Sequence, residues 1–167
     1  MMKLNAMVLD GKIDFDWVFF EKSLAERFGV NAVTFRGDGR RRTPDDGASA
    51  NDICRMIRGD AGGFEAICGK VQRIMSRAAQ IRKRGVAEEC LAGMYKIVVP
   101  VLVAETVDGF VSVCGRPFFS HNRVFTASVA RLIGEEEETL RRLMAELVPI
   151  DARTIKAVKL FIAGYTR

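Results

Sequence analysis

The apolar positions near the start of the chain recur at helical spacing and then change to alternation. This spacing predicts a helix at about 14–28, and Gly29 stands where a helix commonly ends in a left-handed cap. Asn31–Arg36 alternates like a short strand and precedes the turn signal Gly37-Asp38-Gly39. The apolar residues of the helix are Phe15, Val18, Phe19, Leu24 and Phe28.

Two further helices carry cysteines on their apolar faces. Ser49 or Asn51 can cap a short helix in which Cys54 shares a face with two isoleucines, and a glycine-rich stretch ends it. A longer helix begins at Phe64, and its apolar stripe includes Cys68. Both thiols are therefore predicted to point inward.

The middle of the chain changes to the period of a strand. Lys96–Val103 is nearly all apolar, Thr106–Gly109 is predicted as a turn, and Phe110–Cys114 alternates, which together indicate a β-hairpin. The first of these strands is apolar on both faces, so we expect it to be covered on both sides. Pro100 cannot donate to the ladder and must lie at a bulge or an edge, an irregularity that often lines a pocket.

The remainder of the chain is predicted to be helical, at about 124–133, 136–147 and 151–164. The last helix has apolar residues around more than one face, so we expect it to pack on the sheet or to form part of a homodimer interface. Those residues are Ile155, Val158, Phe161, Ile162 and Tyr165. They leave too little polar surface for a recognition helix, so direct nucleic-acid binding is not expected.

Length and composition narrow the class of protein. The 167 residues fit a single domain spanning 1–167, and no apolar run reaches the ~18 residues of a membrane span. The N-terminus lacks a signal pattern, so we expect a soluble, cytoplasmic protein without a membrane partner. Four cysteines without a paired spacing indicate reduced thiols or metal ligands rather than disulfides. The net charge of +5 names no function by itself.

Several motifs, in order, resemble the PocR-type ligand-binding (sensory) domain family. The first matching segment is the opening helix with the strand that follows it, and the last is the apolar final helix. Five further matching segments lie between them. These are Asp52–Arg58, Gly63–Cys68, Cys90-Leu91-Ala92-Gly93-Met94, Val99-Pro100-Val101 and Val148-Pro149-Ile150-Asp151. The resemblance implies an α+β fold, a PAS/GAF-like antiparallel sheet flanked by helices with a helical C-terminal part. It also implies the sensing of small organic molecules such as simple hydrocarbon derivatives, in signal transduction or transcription regulation.

The resemblance also yields a candidate ligand site between the sheet and the helices that carry the first two cysteines. Its residues are Cys54, Cys68, Cys90, Gly93, Met94, Pro100, Cys114 and Arg116. Where relatives often have Gly-Gly-Gln, this chain has Cys114-Gly115-Arg116, and an arginine favours an anionic ligand because guanidinium pairs bidentately with carboxylate.

An alternative hypothesis is that Cys54, Cys68 and Cys90 bind a soft metal or act as a redox sensor, since thiolates select such metals. Relatives often carry a further Cys at the position of Asn51 and a His at that of Leu91, so four ligands would require Cys114 as well. No cofactor is certain, and simple packing of the thiols stays open.

Catalysis is not expected, because no nucleophile, base and orienting group can be assembled. His121, the single histidine, is predicted to be a loop residue or a neighbour of a helix cap. With no output module in the sequence, the signal must pass through a homodimer or a separately encoded signalling partner.

Overall fold

The computed structural model describes residues 7–9, 15–118 and 123–165. Its strands are β1 (Met7–Leu9), β2 (Asn31–Arg36), β3 (Val86–Glu89), β4 (Met94–Val103) and β5 (Thr106–Pro117). Its α-helices are α1 (Trp17–Phe28), α2 (Asp52–Gly59), the single turn α3 (Ala61–Gly63), α4 (Lys70–Arg82), α5 (Arg123–Ile133), α6 (Glu137–Glu146) and α7 (Ala152–Gly164). A π-helical segment, Phe64–Gly69, joins α3 to α4.

The strands form one five-stranded sheet built around β4. On one side β4 pairs antiparallel with β5, which in turn pairs antiparallel with β2. On the other side β3 pairs antiparallel with the first half of β4, and the short β1 runs parallel to its last three residues. The expected α+β fold, an antiparallel sheet flanked by helices with a helical C-terminal part, is confirmed, and β1 is its one parallel addition among the described strands.

Both faces of β4 are covered, as its apolar sequence predicts. On one face Ile97, Val99 and Val101 pack in a cluster with residues of α1 and α7. On the other face Val98 packs with Met75 of α4. A separate apolar cluster lies at the start of β4 and gathers residues of α2, the π-helical segment, α5 and α6.

The predicted helix and strand at the start of the chain are confirmed together with their caps. The Asp16 carboxylate accepts a hydrogen bond from the Phe19 amide at 2.9 Å and so satisfies a free donor at the first turn of α1. Gly29 ends the helix at a φ of 62° in the left-handed region, which glycine adopts at low cost. The three C-terminal helices are confirmed as α5, α6 and α7.

The hairpin is confirmed, but its turn lies earlier than predicted. Ala104 and Glu105 form a two-residue turn, with φ values of 47° and 64°, and Thr106–Gly109 belongs to β5. Gly109 is needed for another reason, because a Cβ there would lie 2.0 Å from the Phe35 carbonyl oxygen of the neighbouring strand. The segment predicted as a turn therefore ends at a close approach of two strands.

Helix α7 packs against α1 within its own chain. The ring of Phe161 lies 6.1 Å from that of Phe20 and 5.7 Å from that of Phe28, measured between centroids. Tyr165 meets Phe20 edge-on at 5.0 Å. The expected packing of this helix on the sheet is found, and the intrachain contacts account for most of its apolar surface. None of the described helices combines the length and apolar character that a membrane crossing demands.

A buried carboxylate ties α1 to β2 and to the loop that follows it. Oε1 of Glu21 accepts hydrogen bonds from the amide and the hydroxyl of Thr34, and Oε2 accepts one from the Thr43 hydroxyl at 2.6 Å. Glu21, Thr34 and Thr43 are all buried. Removing the carboxylate would leave these donors unsatisfied inside the protein, which costs more than the loss of an exposed contact.

We expect Glu21→Ala to lower the free energy of unfolding by about 2–4 kcal/mol, because three donors lose a charged acceptor. Urea unfolding measures this. The matched control is Glu26→Ala on the same helix, where the carboxylate is exposed and should contribute less than about 0.5 kcal/mol. Equal effects of the two substitutions would contradict the structural role of Glu21.

Candidate functional site

All four cysteines of the chain come together from four separate segments. Cys54 lies on α2, Cys68 on the π-helical segment, Cys90 just before β4, and Cys114 near the end of β5. Beyond the effect of burial, the pKa of Cys54 is raised by the three other thiols, that of Cys68 by Cys114 and Cys90, and that of Cys90 by Cys114, so an electrostatic influence links every pair among the four. All four are free thiols, and each is buried or half-buried. We call this set the four-thiol cluster.

Asn51 holds Cys54 in place and links α2 to the end of β5. Its side-chain oxygen accepts from the Cys54 amide at 2.7 Å, which caps α2 as predicted. Its side-chain nitrogen donates to the Gly115 carbonyl at 2.5 Å and lies 3.3 Å from Cys54 Sγ. Asn51 is therefore used for structural hydrogen bonds in this chain.

A bulge in β5 places Cys114 beside α2. The pairing of β4 with β5 shifts register between Tyr95 and Ile97, where β5 contains one extra residue. Gly115 has a φ of 104° there, and a Cβ would lie 2.9 Å from the Ala50 Cβ. Only glycine fits both the backbone conformation and the space. The side-chain nitrogen of Asn31 lies 3.9 Å from Cys114 Sγ.

Cys68 is carried by a widened helical turn. The Lys70 amide donates to the Glu65 carbonyl, five residues back, instead of four as in an α-helix. Helical periodicity alone predicts the inward direction of Cys68, and the structure makes it half-buried beside the cluster of Ile53, Ile57 and Ile67. Such π-helical turns are frequent at functional sites.

Cys90 lies in the tight connection between β3 and β4. Its amide donates to the Met94 carbonyl at 2.8 Å, and its carbonyl accepts from the Gly93 amide at 2.9 Å. Gly93 has a φ of 75°, which a side chain would disfavour. Met94 is fully buried and packs in the same apolar cluster as Cys54. The two predicted site residues Gly93 and Met94 therefore adjoin the cysteines.

Burial is the main influence on the acidity of the thiols. It raises the pKa of Cys68 to about 11, and the other thiols add to this effect. It also raises the pKa values of Cys54 and Cys90 above their ordinary range. At neutral pH these thiols are therefore protonated and uncharged, because a thiolate is disfavoured where water is excluded.

Lys96 is a residue of this site that the sequence analysis missed. It follows Met94 by two positions in β4, and only 6% of its surface is exposed. Its positive charge lowers the pKa values of Cys68 and Cys90, which shows that the ammonium lies near both thiols. The sequence did contain a signal for this position. Side chains two positions apart on a strand share a face, so Lys96 lies on the same covered face as Val98.

A comparison with protein-family models identifies this chain. The model for the sensory domain found in PocR matches residues 20–166. The chain belongs to this family. No curated protein and no solved structure matches it. The family description as a sensory domain indicates ligand sensing rather than catalysis, and it confirms the resemblance carried by the motifs around the cysteines.

Pro100 and Arg116, two further predicted site residues of the PocR domain, both lie in the sheet. Pro100 pairs with Phe110, which packs in the cluster under α4. It falls between the part of β4 that pairs with β3 and the part that pairs with β1, so its missing N–H interrupts no ladder on that edge.

Arg116 has a structural position. Its guanidinium donates to the carbonyls of Phe28, Val148 and Pro149, at 3.1, 3.1 and 2.8 Å. These bonds join the end of α1 to the segment before α7. Because its donors are used in this way, Arg116 is not available to pair with a ligand. Lys96 is a second cation near the cysteines.

The described part of the PocR domain holds no preformed metal site. Across residues 7–9, 15–118 and 123–165, no group of three or more His, Cys, Asp or Glu side chains is arranged to hold a metal ion. The single histidine, His121, lies outside the described residues. The thiols of the cluster are neighbours without the close convergence that zinc requires.

We expect Cys68 to react slowly with iodoacetamide in the folded protein. A pKa of about 11 leaves at pH 7.5 about a hundredfold less thiolate than the ordinary pKa near 9. Mass spectrometry of each cysteine after timed labelling measures the rate, with the urea-unfolded chain as control. The rate should keep rising with pH to about 11. A plateau reached below about pH 9 would contradict the effect of burial.

Proposed function

We propose that this PocR domain binds a small organic ligand, a simple hydrocarbon derivative, beside the four-thiol cluster. The observation that carries the proposal is the meeting of all four cysteines with a buried lysine, at the edge of an apolar cluster. These residues come from distant parts of the chain, and packing alone does not require a charged residue there. The sensory family of the chain supports the same conclusion.

The chemistry of the surroundings limits the ligand. Apolar side chains such as Ile57, Ile67 and Met94 favour a short hydrocarbon part. The uncharged thiols are weak hydrogen-bonding groups, and Lys96 supplies one strong donor. A small ligand with one polar end fits this set, in keeping with sites that are mostly apolar with a few placed polar groups. Binding requires neither a cofactor nor catalysis, and the domain signals through a change in its contacts with a separately encoded partner.

A thermal-shift screen of small alcohols, diols, aldehydes and carboxylates tests the proposal. We expect at least one class to raise the Tm, because a ligand that binds only the folded state stabilises it by about 2.7 kcal/mol at a hundredfold excess over its Kd. The same compound should lose most of its effect on Met94→Ala.

The control is Ile74→Ala on the exposed side of α4, which should keep the full response. If no class shifts the Tm of the wild-type protein, the sensing proposal fails. If both variants lose the response equally, the ligand binds elsewhere.

A metal-dependent or redox role is a second candidate, and the mutual proximity of the four thiols favours it. Cys114 supplies the fourth thiol that the alternative based on Cys54, Cys68 and Cys90 lacked. This candidate requires side-chain rotation, because the described geometry holds no metal. It predicts about one bound zinc per chain after anaerobic purification, with loss on Cys114→Ser. Metal-free protein that stays metal-free on zinc titration would exclude the metal role.

Homodimerisation through α7 is the remaining part of the proposal. Because Phe161 and Tyr165 are packed against α1, the part of α7 available to a second copy centres on Leu160, which is 52% exposed. We expect Leu160→Glu to shift the protein toward the monomer in light scattering at high concentration. If light scattering gives a monomer mass for both the wild type and Leu160→Glu, the dimer is refuted.

A further inference from the structure

Lys96 is a buried residue whose positive charge has no counter-ion among the described residues. No hydrogen bond and no ion pair is formed by its side chain within the described part of the chain, although only 6% of the residue is exposed. Glu88 lies opposite Lys96 in the pairing of β3 with β4, but its side chain is exposed to solvent and forms no ion pair with Lys96. The Nζ atom of Lys96 is not among the fully buried side-chain nitrogens that lack a partner, so the ammonium keeps contact with solvent at the end of a buried stem and is open to an anionic ligand.

The other charged group that acts on the cluster is already neutralised. Arg58 lowers the pKa of Cys68, and its guanidinium pairs with Asp45 at 2.7 Å and donates to the Ala48 carbonyl at 2.5 Å. Cys54, Cys68 and Cys90 do not supply an anion at neutral pH because burial raises their pKa values and keeps them protonated. The site therefore has one uncompensated positive charge, on Lys96.

We propose that Lys96 binds the carboxylate of a short aliphatic acid whose hydrocarbon part packs against the apolar cluster around Met94. This inference rests on the proposed function and names the ligand class of the same site. A carboxylate satisfies the charge and accepts the ammonium hydrogens, and charge-assisted bonds of this kind are the strong ones. The sequence-based expectation of an anionic ligand is thereby transferred from Arg116, whose donors are used by carbonyls, to Lys96.

The first test compares matched probes on the wild-type protein. Sodium propionate and butyrate are set against propionamide and butyramide, with sodium chloride keeping the ionic strength equal, because salts alone change stability. We expect the acids to raise the Tm and the amides, which have the same shape without the charge, to have much smaller effects. Acids no better than amides would overturn the inference.

The second test uses three lysine variants. Lys96→Met keeps the length and removes the charge, so it should weaken propionate binding at least about tenfold by calorimetry. Lys96→Arg keeps the charge and should retain part of the affinity. Lys22→Met changes an exposed lysine on α1 and should bind like the wild type. Equal propionate affinity of Lys96→Met and wild type would overturn the inference.

The ligand-free Tm separates a binding role from a structural one. Because Lys96→Met removes a charge that has no partner among the described residues and keeps an apolar stem of similar length, its Tm without ligand should equal or exceed that of the wild type. A marked fall in Tm would assign Lys96 to the fold and count against the inference. If Lys96→Met does not fold, that result counts in the same way, and the acid–amide comparison on the wild type still decides the ligand class.

The outcomes also separate this inference from the broader proposal. Neutral alcohols or aldehydes that raise the Tm while carboxylates do not would retain small-molecule sensing and reject the carboxylate. No response to any compound would reject both.

Discussion

The burial of β4 on both faces is the constraint from which the rest of the structure follows. A strand whose residues are apolar in succession must be covered twice, and the protein does this with α1 and α7 on one face and α4 on the other. The start of β4 lies outside these two layers and packs instead against a second set of helices, α2, α5 and α6. Lys96 lies in this covered strand, so most of its side chain is buried beside the thiols.

The site depends on backbone features more than on the cysteines themselves. The cap formed by Asn51, the bulge at Gly115 and the turn at Gly93 each fix the position of one thiol. Each of these features is a hydrogen bond or a backbone conformation of the local chain, and each is present in the ligand-free protein. A preorganised surface of this kind lowers the cost of ordering on binding. In the proposed ligand site the thiols would offer a small, weakly polar surface between the helices and the sheet.

Much of the fold followed from the sequence because local signals agreed with the tertiary structure. The helix that ends at Gly29 has the correct spacing and cap, and the inward direction of Cys54 follows from its helical face. The hairpin turn was misplaced because Ala104 and Glu105 adopt positive φ without the glycine or asparagine that usually marks it. The role of Lys96 was missed because strand charges are usually exposed, and only the cover supplied by distant helices buries this one.

The π-helical segment changes how this region of the chain can vary in length. One residue of an α-helix corresponds to a rotation of about 100° about the axis, and the segment Phe64–Gly69 absorbs such a step within continuous helical structure. Removing one residue from the widened turn would restore regular α-helical bonding and leave the helix on either side facing its present neighbours. The same deletion in the middle of α4 would turn one half of that helix by about 100° away from its neighbours. The widened turn is therefore the place in this helical run where the loss of one residue disturbs the packing least.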